Sequence, residues 1–408
     1  MKEYHYYQCR LVQASPLRIS SGKGRETDND LMYDSRRLPF LPGTALAGVL
    51  RSRLNVQDGN ALFGYIDGAK LRESRVLVSD ALLPGDTSPD DVHVSWRDGV
   101  GLNDEGGTLT GAKYNFEVVE TPLPYTAVLE WCGDPAQDRT LTLLDQLLAQ
   151  AAADGLSLGA RTSRGYGQMQ VSVQHKVFHF PADLAAWLDF DPLAPDAFAQ
   201  SEPLQAAENT SSALHIAAEL RMNGIFSVSV PTTDGSAPLH NYNDRPVIPG
   251  TAWAGSFRHH MRRLLQTMQG TGPEFAELDA LFGKMPDGKD PRRSQVEFFE
   301  TLIQGGSPIT ASHNALDRFT AGPADTALYT VTHHCGGTGV LEIRVPHGLS
   351  APLCRQLLAA ALIDLNDGLM TVGGSARMGA GTACITRLTV NGQDRTQLLY
   401  ARSTDFLD

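Results

Sequence analysis

No stretch of this 408-residue chain approaches the roughly 20 consecutive apolar residues that a membrane helix needs, and its start, MKEYHYYQC, lacks an apolar leader. A cytoplasmic protein with no membrane partner is expected. Cysteine is scarce and scattered, at 9, 132, 335, 354 and 384, with no CxxC pair, so neither a zinc knuckle nor a disulfide framework is indicated and no zinc is expected. Positive charge is also in deficit: 34 Lys+Arg against 46 Asp+Glu leave a formal charge of -12. Such a field repels nucleic acid at long range, so any contact with a phosphate chain must come from local basic patches or from neighbouring subunits. Walker loop, dinucleotide fingerprint and serine elbow are all missing. His175 and His179 sit four apart in a strand-like segment, and His333, His334 and Cys335 are neighbours that a strand would point to opposite faces, so these histidines read as core or surface residues.

What the chain does hold is a repeat. RLPFLPGTALAGVLRSRL (37–54) is matched by RPVIPGTAWAGSFRHHMRRLL (245–265), with PGTAxAG in common. Leu-Phe-Gly follows in both, at 62–64 and 281–283. A glycine-rich segment closes each half, GARTSRGYGQMQV (159–171) and GGSARMGAGTACI (373–385), ahead of an alternating apolar run. Three landmarks in one order argue for duplication. The halves span residues 1–195 and 213–408, and the polar, turn-rich stretch around 196–212, within a connector that begins near Asp191, reads as the linker.

Each half opens with alternation, over Tyr4–Leu17 and Leu214–Val230, which predicts a strand. After each Pro-Gly the period becomes helical, through Leu46, Val49, Leu50 and Leu54 and through Trp253, Phe257, Met261 and Leu265, with a threonine cap expected. Further helices are predicted at Leu141–Ala153 and Leu353–Leu365, each running through the glycine-rich turn into a last strand. Strand, helix, two or more strands, helix, strand is the order of a ferredoxin-like fold. The expected class is therefore α+β: two tandem ferredoxin-like modules, each an antiparallel sheet with helices on one face. Long excursions at 83–126 and 283–325 interrupt this order, and KYNFEVV (113–119) reads as one arm of a projecting hairpin.

The pairing of PGTALAGVLR with SRGYGQMQV, present in both halves in altered form, resembles the RAMP superfamily of CRISPR proteins, and is similar in particular to backbone subunits of type III effector complexes. HNALDRFTAGPADTALYTV (313–331) resembles the segment of those subunits that leads into a thumb-like hairpin. The resemblance implies partners: CRISPR guide RNA, complementary target RNA and other type III effector subunits. It also implies RNA-binding residues. Gly165, Gly167, Gly379 and Gly381 would let a phosphate approach the main chain, beside Arg161, Arg164 and Arg377 as donors. Arg51, Arg53, Arg258, His259 and Arg262 lie on the helix that lines the guide backbone in the family, and Arg318 on the hairpin. A solvated helix face is the plain reading of the same charges. Arg97 with Asp98, and Asp317 with Arg318, are equally readable as structural pairs at the root of a loop.

For family subunits that cut target RNA, the resemblance implies an aspartate in the loop before the first helix, six residues ahead of a second one. Asp28 and Asp34 fit, with Asp30 the rival; Asp28 would carry a divalent cation, magnesium, loosely bound. In the second half Asp234 lies ten residues before Asp244, and His240 and Asn243 are polar alternatives. The function implied is a double backbone subunit with endoribonuclease activity in at least the first module. A purely structural subunit, a precursor-processing endonuclease and a tandem RAMP protein outside CRISPR defence are the alternatives.

Overall fold

The computed structural model describes residues 2–22, 30–68, 70–102, 108–120, 122–207, 213–232, 235–241, 243–283, 293–346, 348–349 and 351–407. It is an α+β protein of two compact units. The first comprises 1–99, 114–162 and 166–210, and the second 100–113, 163–165 and 211–408. Among the described residues no helix is long and apolar enough to cross a membrane.

In the first half of the chain, β1 (Glu3–Gln13) is followed by α1 (Gly43–Ser52), α2 (Val56–Phe63), β2 (Val76–Val78), β3 (Thr108–Val119), β4 (Pro124–Gly133), α3 (Thr140–Asp154) and β5 (Gln168–His179). The sheet runs Leu156–Ser157, β5, β1, β4, β2. β1 is its antiparallel centre, paired Cys9 to Val173 on one side and Cys9 to Ala127 on the other. Alternation puts Tyr7, Cys9 and Leu11 on the buried face with Leu144, Leu147 and Leu148 of α3.

A short helix, α4 (Leu184–Leu188), follows. The second unit repeats the plan with β6 (Leu214–Met222), α5 (Gly250–Thr267), α6 (Gly272–Phe282), β7 (Ser307–Leu316), β8 (Pro323–Cys335), β9 (Thr338–Val345), α7 (Pro352–Asn366) and β10 (Ala383–Val390). β6 lies antiparallel between β9 and β10, as β1 lies between β4 and β5. Its core joins Ile216 and Leu220 to Trp253, Phe257, Leu358 and Leu362.

The helices predicted after each Pro-Gly are α1 and α5, but their caps differ from expectation. Pro42 and Pro249 occupy the N-cap without a side-chain cap bond. The glycine is needed instead for close approach: a Cβ on Gly43 would overlap the Val78 carbonyl oxygen, and one on Gly250 that of Phe298. Asp80 Oδ1 then accepts from Gly43 N at 2.7 Å.

The connector from Asp191 is packed as far as it is described before 208. Phe198 is fully buried with Tyr6, Val128 and Phe178 on the outer face of the first sheet, with Trp187 and Phe190 beside it. Leu204 N and Ala207 N donate to Val173 O (2.9 Å) and Ala149 O (3.0 Å).

Both excursions contain β-hairpins. Val94–Leu102 pairs with β3, and β7 pairs with β8.

The histidines of β5 do not pair with each other. His175 Nε2 lies 3.0 Å from His5 Nδ1, and His179 Nδ1 lies 3.0 Å from Glu3 Oε1. Burial, and then the neighbouring His5, hold His175 down at about 4. Between its unfolded value near 6.5 and about 4 the native chain binds fewer protons than the unfolded one, so stability is lost as pH drops through that window. The expected loss is on the order of 2 kcal/mol, discounted for the ring's partial exposure. Urea midpoints at pH 7 and pH 4.5 should differ less in His175→Gln than in the wild type; equal differences would remove His175 as the source.

Candidate nucleic-acid interface

The frame around the candidate loops is the same in both units, down to single hydrogen bonds. Asp34 Oδ1 accepts from Arg36 N (2.8 Å) and Leu38 N (3.0 Å); Asn241 Oδ1 accepts from Asn243 N (3.1 Å) and Arg245 N (2.9 Å). The residues before the last of these donors, Arg37 and Asp244, both have left-handed backbones, with φ of 62° and 56°. Asp34 therefore corresponds to Asn241, and Asp244 to Arg37. This corrects the pairing of Asp34 with Asp244: Asp234 stands seven residues ahead of Asn241, close to the six between Asp28 and Asp34. The Asp34 turn has its own electrostatics. Burial pushes its carboxyl upward, but the bonds from Leu38 and Arg36 outweigh it and hold the group below the usual carboxylate range.

Asp28 and Asp234 themselves lie outside the described residues. Asp30 pairs with Gly22 in a short ladder and is half-buried. Next to it Leu31 N donates to Glu117 Oε2 at 2.9 Å, which brings a carboxylate from β3 to the edge of the Asp28 loop, a residue that spacing arguments miss. Among the described residues no three His, Cys, Asp or Glu side chains group as a metal cage. Magnesium does not require one, because it keeps much of its water and takes one or two carboxylates with phosphate oxygens.

The glycine-rich loops close on their own backbone. Gly167 N donates to Pro16 O (2.7 Å) while Leu158 N donates to Gly167 O (2.8 Å); Gly381 N donates to Ile225 O (2.8 Å) and Val372 N to Gly381 O (3.0 Å). A Cβ on Gly167 would overlap the Leu158 carbonyl oxygen, and one on Gly381 that of Val372. The Cβ position of each of these two glycines is thus already taken up by backbone. Gly379, with φ of 79°, has nothing within 4 Å of an added Cβ. Gly165, also left-handed, and the half-exposed Arg164 group with the second unit. Arg377 lies in the one-turn helix Ala376–Met378. Arg161, half-exposed, donates to the Tyr114 hydroxyl and lies over the Tyr114 and Phe116 rings.

The basic helix residues reach the next helix. Arg51 donates to Gly64 O (2.6 Å) and Asn60 Oδ1 (2.5 Å), placing a cation at the C-terminal end of α2. It also lines an open pocket of about 800 Å³ with Asn60, Tyr65 and Arg72. Arg258, its counterpart, lies 3.0 Å from Asp279 of α6, and Arg262 lies 3.3 Å from the same carboxylate while covering Phe275. Arg53 donates to Gly155 O and lies 4.0 Å from Asp154. His259 is half-exposed and Arg263 exposed, whereas His260 turns inward to Asp364 at 2.6 Å.

At the tip of the β7–β8 hairpin Asp317 Oδ1 accepts from Phe319 N (2.9 Å) and Thr320 N (2.8 Å), and Arg318 and Phe319 are exposed. In the first unit the loop-root pair is not Arg97 with Asp98. Arg97 faces inward to Glu120, and Asp98, one residue on along the strand, is exposed. His333 and His334 do face opposite ways, towards His313 and Phe226 respectively.

No curated protein sequence matches the chain. Among solved structures, a chain from "Type III-B Cmr-beta Cryo-EM structure of the Apo state" is similar over 41% of this chain and 96% of its own length, at 11% identity and a TM-score of 0.33. Residues 13–170 and 210–384 match the RAMP superfamily, so that one match falls on each repeated frame. On that coverage, the chain belongs to the RAMP superfamily.

Proposed function

We propose that the protein is a double backbone subunit of a type III CRISPR interference complex: two ferredoxin-like RAMP modules in one chain that bind guide RNA, with at least the first module cutting complementary target RNA. The observation that carries this reading is the family match to each half, set on frames whose loops repeat hydrogen bond for hydrogen bond. Two equivalent loops in one chain suit a ligand that is itself periodic, and guide RNA is such a ligand. Base pairing would supply sequence specificity, while the protein holds shape and backbone. The net charge of -12 agrees with a subunit that meets RNA only through local patches within an assembly.

Asp28 is the residue assigned to cleavage, with Asp30 as its rival and Asp234 as its counterpart in the second module. A magnesium ion, when bound, would stabilise charge developing on the scissile phosphate. The part left to the chain is to hold the target backbone in line beside the Asp28 loop, whose base is pinned by the Asp34 turn and by the Leu31–Glu117 bond.

The test is a reconstituted guide complex with end-labelled complementary RNA and magnesium. Asp28→Ala should abolish one discrete cut, slowing it on the order of 100-fold or more, while guide RNA still copurifies. Asp234→Ala, separately, should remove a different cut. An unchanged cut map overturns the Asp28 assignment. Loss of assembly instead of a cut makes the subunit structural, and loss of precursor processing makes it the processing endonuclease.

A further inference from the structure

Two arginines of the first unit share one aromatic ring with no acid between them. Arg18 is 8% exposed, and its Nε is buried without a hydrogen-bond partner. Its guanidinium lies 4.6 Å from the Phe116 ring centre, and the Arg161 guanidinium lies at the same distance from that ring. Among the described residues no carboxylate pairs with either. The arrangement is costly. Burial, and after it the nearby Arg161, pull Arg18 below the ordinary arginine value.

The second unit reveals what the backbone itself requires. Ala160 N donates to Arg18 O at 2.9 Å, and Gly374 N donates to Ser227 O at 2.6 Å. Gly159 and Gly373 are each pressed against the same carbonyl, so that a Cβ would overlap it. Arg161 and Ser375 share a left-handed backbone, with φ of 62° and 60°. Arg18 therefore corresponds to Ser227, Arg161 to Ser375, and the aromatic Tyr166 beside them to Ala380. An equivalent frame closes with two serines and an alanine. The fold does not need the cations, and they carry an electrostatic penalty where they stand.

We infer that Arg18 and Arg161 form a phosphodiester-binding site of the first unit, which takes one backbone phosphate of single-stranded RNA, and that the second unit lacks this contact. A phosphate is the matching class because its oxygens accept from two guanidiniums at once, and a bound anion relieves the repulsion between them. Phe116 and Tyr114 hold the guanidinium planes by cation–π contact. The two loops, alike in backbone, would thus grip RNA unequally. The inference rests on the RNA-binding reading above, and its test separates the two.

The experiment measures the affinity of the full chain for a fluorescent, unstructured single-stranded RNA between 50 and 200 mM salt. Its comparison is Arg18→Ser/Arg161→Ser, which installs the second unit's own residues. The expected result is affinity down by about tenfold and a slope of log K against log salt shallower by about 0.7, the value of one phosphate on a single strand. The melting temperature should be unchanged or higher, and Arg18→Lys/Arg161→Lys should keep the wild-type slope. Wild-type binding with no change of slope in the serine variant overturns this inference and leaves the RNA reading standing. Weaker binding with the wild-type slope and a lower melting temperature also overturns it, making the pair structural. A wild-type chain that binds no RNA overturns both.

Discussion

Gly167→Ala should destabilise the first unit by about 3–5 kcal/mol. The backbone there has φ of 70°, where a side chain costs about 1–2 kcal/mol, and the added Cβ would overlap the Leu158 carbonyl oxygen. Relief requires the strand end to move, which strains the bonds from Leu158 N to Gly167 O and from Gly167 N to Pro16 O, each worth about 1 kcal/mol. Gly381→Ala should do the same in the second unit, against Val372. Gly379→Ala is the control, because its added Cβ meets nothing within 4 Å and only the backbone penalty of about 1–2 kcal/mol applies. Urea unfolding of the full chain measures all three. The comparison also decides what the glycines are for: if Gly167 served chiefly to admit a phosphate, its alanine variant would lose RNA affinity at near-normal stability. A loss below about 1 kcal/mol would mean that the loop relaxes and that the overlap carries no weight.

How far such features were legible in the sequence depends on whether their cause is local. The change of period after each Pro-Gly, the length of α3 and α7 and the order of landmarks follow from apolar spacing and turn residues, and helices lie where those signals put them. The destinations of long side chains do not follow. Arg51 and Arg258 occupy one motif position, and both turn to the next helix, because a helix end in one unit and Asp279 in the other happen to come within reach. Phe198 stands alone in the connector with no period that marks it as core, so the connector reads as polar although it packs on the first sheet beside Trp187 and Phe190. Arg18 belongs to no motif. The signal that would have found it is comparative: once the loops are laid over each other by their hydrogen bonds, Arg18 and Arg161 are the positions where two cations stand against two serines. The same overlay moves Asp234 close to the register of Asp28, which a count back from Asp244 does not show.

Glu120→Ala should cost about 3–5 kcal/mol, through one half of a buried ion pair being removed. The Arg97 and Glu120 side chains are 3% and 1% exposed, with Nη2 2.5 Å from Oε1, and the same oxygen accepts from Arg97 Nε at 2.8 Å and Ser95 Oγ at 2.6 Å. Removing the carboxylate takes away the anion that Arg97 meets through both Nε and Nη2 at a buried site, and breaking a buried pair from one side costs more than the pair itself contributes. The asymmetry is testable. Arg97→Met/Glu120→Leu, which deletes both charges and keeps the volume, should recover most of the loss, whereas Glu120→Gln, which keeps an acceptor without the charge, should fall between. The pair stands at the root of the hairpin formed by Val94–Leu102 and β3, and Phe116 of β3 is the floor on which Arg18 and Arg161 rest. Glu120→Ala should therefore weaken RNA binding along with stability, and the double variant should restore both together. Recovery of stability without recovery of binding would separate the hairpin root from the phosphate site, and an equal loss in the single and double variants would show that packing at this root, not the buried charge, sets the cost.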